Sequence, residues 1–101
     1  SVVVGTVNGR TYAFVGLERD GGIVVLDVST PESPVYVTYA NNRRFPRNAA
    51  GALLACNNTN DCGDLGPEGL TFVPASASPT GKALLIASNE VSSTTTVWEV
   101  E

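Results

Sequence analysis

The sequence contains no histidine and no methionine. Histidine is the usual general base of serine and cysteine hydrolases and the commonest protein ligand of transition metals. A Ser-His-Asp triad is therefore excluded, and two cysteines without histidine cannot complete a four-ligand zinc site. We expect a non-catalytic protein that uses no cofactor.

Basic residues are also scarce, since six Lys and Arg stand against ten Asp and Glu, for a formal charge of −4. Nucleic-acid binding depends on a basic surface, so nucleic acid is not an expected partner. No apolar run approaches the roughly 20 residues that cross a bilayer, and the sequence therefore predicts no membrane span.

Valine is abundant instead, at 14 of 101 residues, and it falls in short alternating runs separated by turn residues. Asn8-Gly9 is a strong hairpin signal between the first two runs, and Pro31 and Pro34 break the chain before the fourth. The predicted fold is all-β, with two antiparallel sheets of four and three strands packed face to face. The predicted strands cover residues 1–7, 10–17, 23–28, 35–39, 70–73, 82–88 and 94–100.

Both cysteines lie in a long irregular segment between the fourth and fifth runs. Cys56 and Cys62 bracket a short polar loop, and in an extracellular protein such a pair most simply forms a disulfide. A redox role is disfavoured because the spacing is not C-x-x-C and nothing basic adjoins either cysteine. Asn57 begins an N-x-[ST] sequon in the same loop and is the predicted acceptor of a covalent glycan.

Two further groups of residues are candidates for a metal site and for a carbohydrate-binding surface. We predict no metal site, although Glu68 and Glu90 stand at strand ends, where their oxygens could contribute to a hard-cation site. The alternative is that both are solvated or capping carboxylates. A carbohydrate-binding surface would combine one aromatic side chain with the basic cluster of the long loop: Trp98, Arg43, Arg44 and Arg47.

Several motifs resemble the blade pattern of the choice-of-anchor I family of secreted and cell-surface β-propeller proteins. They are NGRTYAFVGLER (8–19), GIVVLDVSTP (22–31), GDLGPEGL (63–70), GKALLIASNEVS (81–92) and TTTVWEV (94–100). The resemblance implies propeller-blade-like sheets, an extracellular or cell-surface location and no established chemistry for most members. It divides a single β domain, residues 1–101, into a first blade (1–41), a long disulfide-containing loop (42–68) and a second, incomplete blade (69–101). Members close a ring from several hundred residues, whereas this chain has material for about two blades.

The second unit has one strand fewer than the first, so its last strand should present unpaired backbone N–H and C=O groups that accept a strand from another molecule. We therefore predict a glycosylated structural or adhesion module that self-associates into a homo-oligomer or polymer, a filament included. A fragment of a larger cell-surface propeller hydrolase, phosphatase- or esterase-like with catalytic groups elsewhere, and a carbohydrate-binding domain remain alternatives. A C-terminal continuation of the chain would be another way to fill the edge. The predicted assembly edge comprises Thr94, Thr96, Val97, Trp98 and Val100.

Overall fold

The computed structural model describes residues 1–56 and 62–101, which form two antiparallel β-sheets, as the sequence predicts. The first sheet has the order β1-β2-β3-β4 and the second the order β5-β6-β7. A 3₁₀ turn, Ala75–Ala77, precedes β6. The strands are β1 (Val2–Val7), β2 (Arg10–Gly16), β3 (Ile23–Asp27), β4 (Val35–Ala40), β5 (Pro67–Val73), β6 (Ala83–Asn89) and β7 (Thr94–Val100).

The local turn chemistry explains most of these boundaries. Asn8 and Gly9 both have positive φ, 52° and 79°, as a two-residue type I′ hairpin requires. One strand differs clearly from its prediction: β5 begins at Pro67 rather than at residue 70. A register shift between Pro67 and Gly69 interrupts the alternation there, so the second sheet begins inside the segment predicted as a loop.

The two sheets share one hydrophobic cluster. Phe14 of β2 is 1% exposed, and its ring stacks on Phe72 of β5 with the centroids 5.7 Å apart. Leu85 of β6 and Ile23 of β3 also belong to the buried centre, and Trp98 packs against it. Burial of each large apolar side chain contributes about 1.5–3 kcal/mol, so this cluster holds the sheets together.

The sheets approach most closely along β1 and β5, which we call the closed side. Gly5 of β1 makes this approach sterically feasible, because a Cβ at that position would lie 2.5 Å from ring carbons of Phe72. Strands β4 and β7 lie at the opposite edges of their sheets, and we call this the open side.

Candidate interaction surface on the open side

Strand β7 is an open edge. It pairs with β6 from Asn89↔Thr94 to Ala83↔Val100, and among residues 1–56 and 62–101 no strand pairs with its other edge. Natural edge strands are usually blunted by proline, lysine or bulges. None of these interrupts Thr94–Val100, so β7 can accept a further strand through its backbone.

The side chains of the predicted assembly edge divide between two faces, because alternate residues of a strand point to opposite sides. Thr96, Trp98 and Val100 point towards the first sheet, where Trp98 and Val100 pack against the core cluster. Val97 points outwards and is 56% exposed. The β7 edge therefore offers unpaired backbone N–H and C=O groups. Its inner side chains are partly buried and its outer side chains are exposed.

A groove of about 240 Å³ lies beside β7. It exists because the first sheet has four strands and the second only three, which leaves the inner face around β4 uncovered. Most of the lining is apolar, with two carboxylates, Glu99 and Glu101, at the end of the chain. The apolar lining includes Tyr12, Val25, Val37, Trp98 and Val100.

Strand β4 is a second exposed edge that the sequence analysis did not single out as an interaction surface. Val35, Tyr36, Val37 and Tyr39 all leave at least two fifths of their surface exposed. The sequence could have indicated this edge, because the last strand of a four-stranded meander must lie at an edge of the sheet. The open side thus carries two exposed strand edges rather than one: β4, which has no charged residue, and β7, whose only charged residue is Glu99.

Asp64 connects the long loop to one end of the open side, a role that no sequence pattern indicated. Thr96 Oγ1 donates to Asp64 Oδ2 at 2.6 Å, Thr94 Oγ1 to Oδ1 at 2.8 Å and Asn42 Nδ2 to Oδ2 at 2.9 Å. These hydrogen bonds, that from Thr96 above all, lower the pKa of Asp64 below its usual range. Asp64 therefore links the segment after β4 to the beginning of β7 at this end, while the groove lies towards the other end of β7.

The long loop contains the predicted disulfide. Cys56 and Cys62 are joined, with their Cα atoms 5.6 Å apart. The Arg44 amide donates to the Cys62 carbonyl at 2.5 Å, which links the buried Cys62 to the irregular segment after β4. The predicted glycan acceptor, Asn57, lies outside the described residues.

The structure brings Glu68 and Glu90 together and adds Glu18, which follows β2. Ligand oxygens of the three carboxylates lie within 4.8 Å of one another, and all three side chains are exposed. The pKa of Glu68 is raised, mainly through its hydrogen bond with Glu90. Calcium takes six to eight oxygen ligands, so three solvent-exposed carboxylates make at most a partial coordination shell.

The basic cluster of the long loop makes contacts within the protein. Arg43 Nη1 donates to the Arg19 carbonyl at 2.7 Å, and its guanidinium lies 4.8 Å from the Phe45 ring centroid. Arg47 Nη1 donates to the Gly51 carbonyl at 2.8 Å. Neither arginine lines the groove that contains Trp98, so the structure does not unite the residues of the predicted carbohydrate surface there.

Comparisons of the chain with protein-family models, with curated proteins and with solved structures found no match. In the described part of the chain, no helix has the length and apolar character needed to cross a bilayer. The disulfide is compatible with an extracellular protein.

Proposed function

We propose that this chain is a non-catalytic extracellular structural or adhesion module that self-associates by accepting an edge strand of a second copy at β7. The observation that carries the proposal is the open β7 edge beside an uncovered apolar groove. Both features have the same origin, because the second sheet has one strand fewer than the sheet on which it packs.

A strand added at β7 would fit this space. It would lie about 4.8 Å beyond β7, in the plane of the second sheet and over the uncovered inner face of β3 and β4. Every second side chain of the added strand would enter the groove towards Val25, Val37 and Trp98. Backbone hydrogen bonds would supply affinity, and the apolar side chains of one face would fix the register.

The arrangement of the sheets supports the proposed relation to propeller blades of the choice-of-anchor I type. Each sheet is a meander of consecutive antiparallel strands, as in a blade. The first strands of the two sheets, β1 and β5, approach each other, while their last strands lie on the open side. Adjacent blades fanning out from an axis would have this relation, and the disulfide supports the extracellular setting in which Asn57 would carry its glycan.

Sedimentation velocity of the purified chain over a range of micromolar concentrations tests the proposal. We expect species heavier than the 10.5 kDa monomer whose fraction rises with concentration. Val97→Pro should reduce them strongly, because proline removes a backbone donor and its ring disrupts the edge. Val97→Thr is the matched control, since threonine keeps the N–H and the β-branched shape at the same position.

Three results would contradict the proposal: a monomer at every concentration, equal loss of assembly in Val97→Thr and Val97→Pro, or full assembly in a folded Val97→Pro variant. Far-ultraviolet circular dichroism establishes whether each variant keeps its β-structure.

A further inference from the structure

Strand β4 forms the open-side edge of the first sheet, and in the described part of the chain no strand pairs with its free side. Its sequence, VYVTYA, contains no charged residue. Thr38 and Ala40 lie on the inner face of the sheet, because they stand opposite Val25 and Ile23, which line the groove. Strand β4 therefore has what a strand added at β7 needs: a free backbone edge and an uncharged inner row.

The hydrogen bonds of Asp64 fix the relative direction of β4 and β7. Asp64 accepts from Asn42, two residues after the end of β4, and from Thr94, the first residue of β7. The end of β4 and the start of β7 therefore lie at the same end of the molecule, and the two strands run in opposite directions. A twofold axis parallel to the strands leaves their directions unchanged. It would bring β4 of a second copy beside β7 in the antiparallel arrangement of the existing strand pairs.

The strand numbers of two copies are complementary in this arrangement. Because the sheets approach most closely along β1 and β5, the first sheet extends beyond the second by one strand, β4. With the axis parallel to the strands, the second sheet of each copy is continued by the first sheet of the other. Two facing sheets result, each with four strands from one copy and three from the other. Every open-side edge of both copies is then paired.

The other pairings of open-side edges do not have this property. An antiparallel pair of two β7 strands would set two three-stranded sheets side by side over two four-stranded ones, so that both β4 strands would occupy the same space. A parallel pair of two β7 strands would place Glu99 beside its counterpart in the second copy, and neighbouring like charges oppose pairing. A pair of two β4 strands would leave both grooves uncovered.

The charges around the groove also match an uncharged strand. Glu99 and Glu101 are the carboxylates of its lining. Lys82 Nζ lies 2.5 Å from Glu101 Oε1 and 3.9 Å from Glu99 Oε2, so this chain supplies their counter-charge itself. A strand that enters the groove therefore needs no basic residue, and β4 has none.

We infer that the strand accepted at β7 is β4 of the second copy and that the contact is reciprocal, with β4 of each copy paired to β7 of the other. The inference rests on the proposed self-association and names the segment of the partner that the β7 edge accepts. The dimer closes by twofold symmetry, the commonest arrangement among homo-oligomers. Its two grooves merge into one core that covers Trp98 and Val25 of both copies.

Thr38→Asp tests the inference, because it places a charge on the inner face of β4 and adds little bulk. Thr71→Asp is the matched control: Thr71 is also an exposed strand threonine, but it lies on β5, away from both open-side edges. In sedimentation velocity we expect the wild type and Thr71→Asp to form a species of twice the 10.5 kDa monomer mass, and Thr38→Asp to stay monomeric. Circular dichroism establishes that each variant keeps its β-structure.

A mixture of two variants tests the reciprocal pairing. Val97→Pro blocks β7 and Thr38→Asp blocks β4, so either variant alone loses both contacts of its dimer. In a mixed dimer, the intact β7 of the Thr38→Asp copy pairs with the intact β4 of the Val97→Pro copy. We therefore expect the equimolar mixture to dimerise where neither variant alone does, although at higher concentration than the wild type. A mixture that stays monomeric at every concentration overturns the inference.

Hydrogen exchange of the wild type requires no variant. The backbone amides of β4 and β7 should both exchange more slowly as the protein is concentrated into the dimer. Slower exchange at β7 alone, or association that is lost in Val97→Pro but kept in folded Thr38→Asp, overturns β4 as the accepted strand and leaves strand addition at β7 standing. Species that grow beyond the dimer overturn the closed contact. A wild type that is monomeric at every concentration overturns the inference together with the proposed function.

Discussion

The closed side and the open side are built from the same kind of strand, yet only the closed side is sealed. Along β1 and β5 a glycine removes the side chain that would keep the sheets apart, so Phe72 packs directly over Gly5. Along β4 and β7 a groove remains, because the first sheet has four strands and the second sheet only three. A small residue therefore lets the sheets meet on one side, whereas the unequal number of strands leaves the other side open.

The largest expected effect comes from breaking the closed side. Gly5→Val would force a branched side chain into the Phe72 ring, and such overpacking costs about 1–3 kcal/mol of the free energy of unfolding. Gly69→Ala is the control, because the nearest atom to a Cβ there, Ser88 Cβ, is an ordinary 3.5 Å away. Urea unfolding monitored by circular dichroism measures both, and equal midpoints for the two variants would contradict this account of the closed side.

A smaller effect is expected where the open side is bridged. Asp64→Ala removes the acceptor of three hydrogen bonds, from Thr94, Thr96 and Asn42. With allowance for partial exposure to solvent, we expect a loss of about 1 kcal/mol. Asp20→Ala, in the exposed turn before β3, should change the free energy of unfolding very little. Equal urea midpoints for Asp64→Ala and Asp20→Ala would contradict the stabilising link that Asp64 makes between the long loop and β7.

Acid should weaken the first sheet over a defined pH range. Arg10 Nε donates to Asp27 Oδ2 at 2.6 Å, and this bond, with the Ser29 amide, lowers the pKa of Asp27 from 3.8 to about 2. Because the folded pKa lies below the unfolded one, the contribution to stability is complete above about pH 4 and is lost as the pH falls to about 2. Arg10→Gln should raise the pKa of Asp27 towards 3.8, which carboxyl-detected NMR titration measures. An unchanged pKa in that variant would show that Arg10 is not its main cause.

The smallest effect is expected in the carboxylate cluster. The folded pKa of Glu68 is raised, mainly by Glu90, so at neutral pH the charged pair opposes folding and protonation relieves this. Glu90→Gln should lower the pKa of Glu68 and raise the melting temperature slightly. Glu32→Gln, in the turn before β4, is a control of the same charge change. A lower melting temperature in Glu90→Gln would indicate that the carboxylates contribute a favourable interaction instead.

Local patterns predicted most of the fold. Period-two alternation and turn residues such as Asn8-Gly9 indicated seven strands in two sheets, and the short spacing of Cys56 and Cys62 indicated their pairing. The sequence did not indicate that β5 begins at Pro67, because the register shift between Pro67 and Gly69 interrupts the alternation of side chains between the two faces. No local pattern could have indicated such long-range relations as the contact of Asp64 with β7 or the close approach of Gly5 to Phe72.

The site was predicted in outline only. The unequal number of strands indicated an open edge at β7, and among the described residues no strand pairs with that edge. Which side chains of Thr94–Val100 face the first sheet depends on how the sheets pack, and so does the existence of the groove. The rows of apolar side chains that run across β1 to β4 depend on the registers of four strands together, which a single sequence does not provide.

Emission from Trp98 tests the central claim, that a second copy covers the open side, most directly. Trp98 is the only tryptophan of the chain and lines the groove beside the β7 edge. As the protein is concentrated from nanomolar to high micromolar, its emission should shift to shorter wavelength and its quenching by acrylamide should fall, in step with sedimentation, whereas Val97→Pro should keep the dilute values. An emission maximum and a quenching constant that stay unchanged over the whole range would contradict the account.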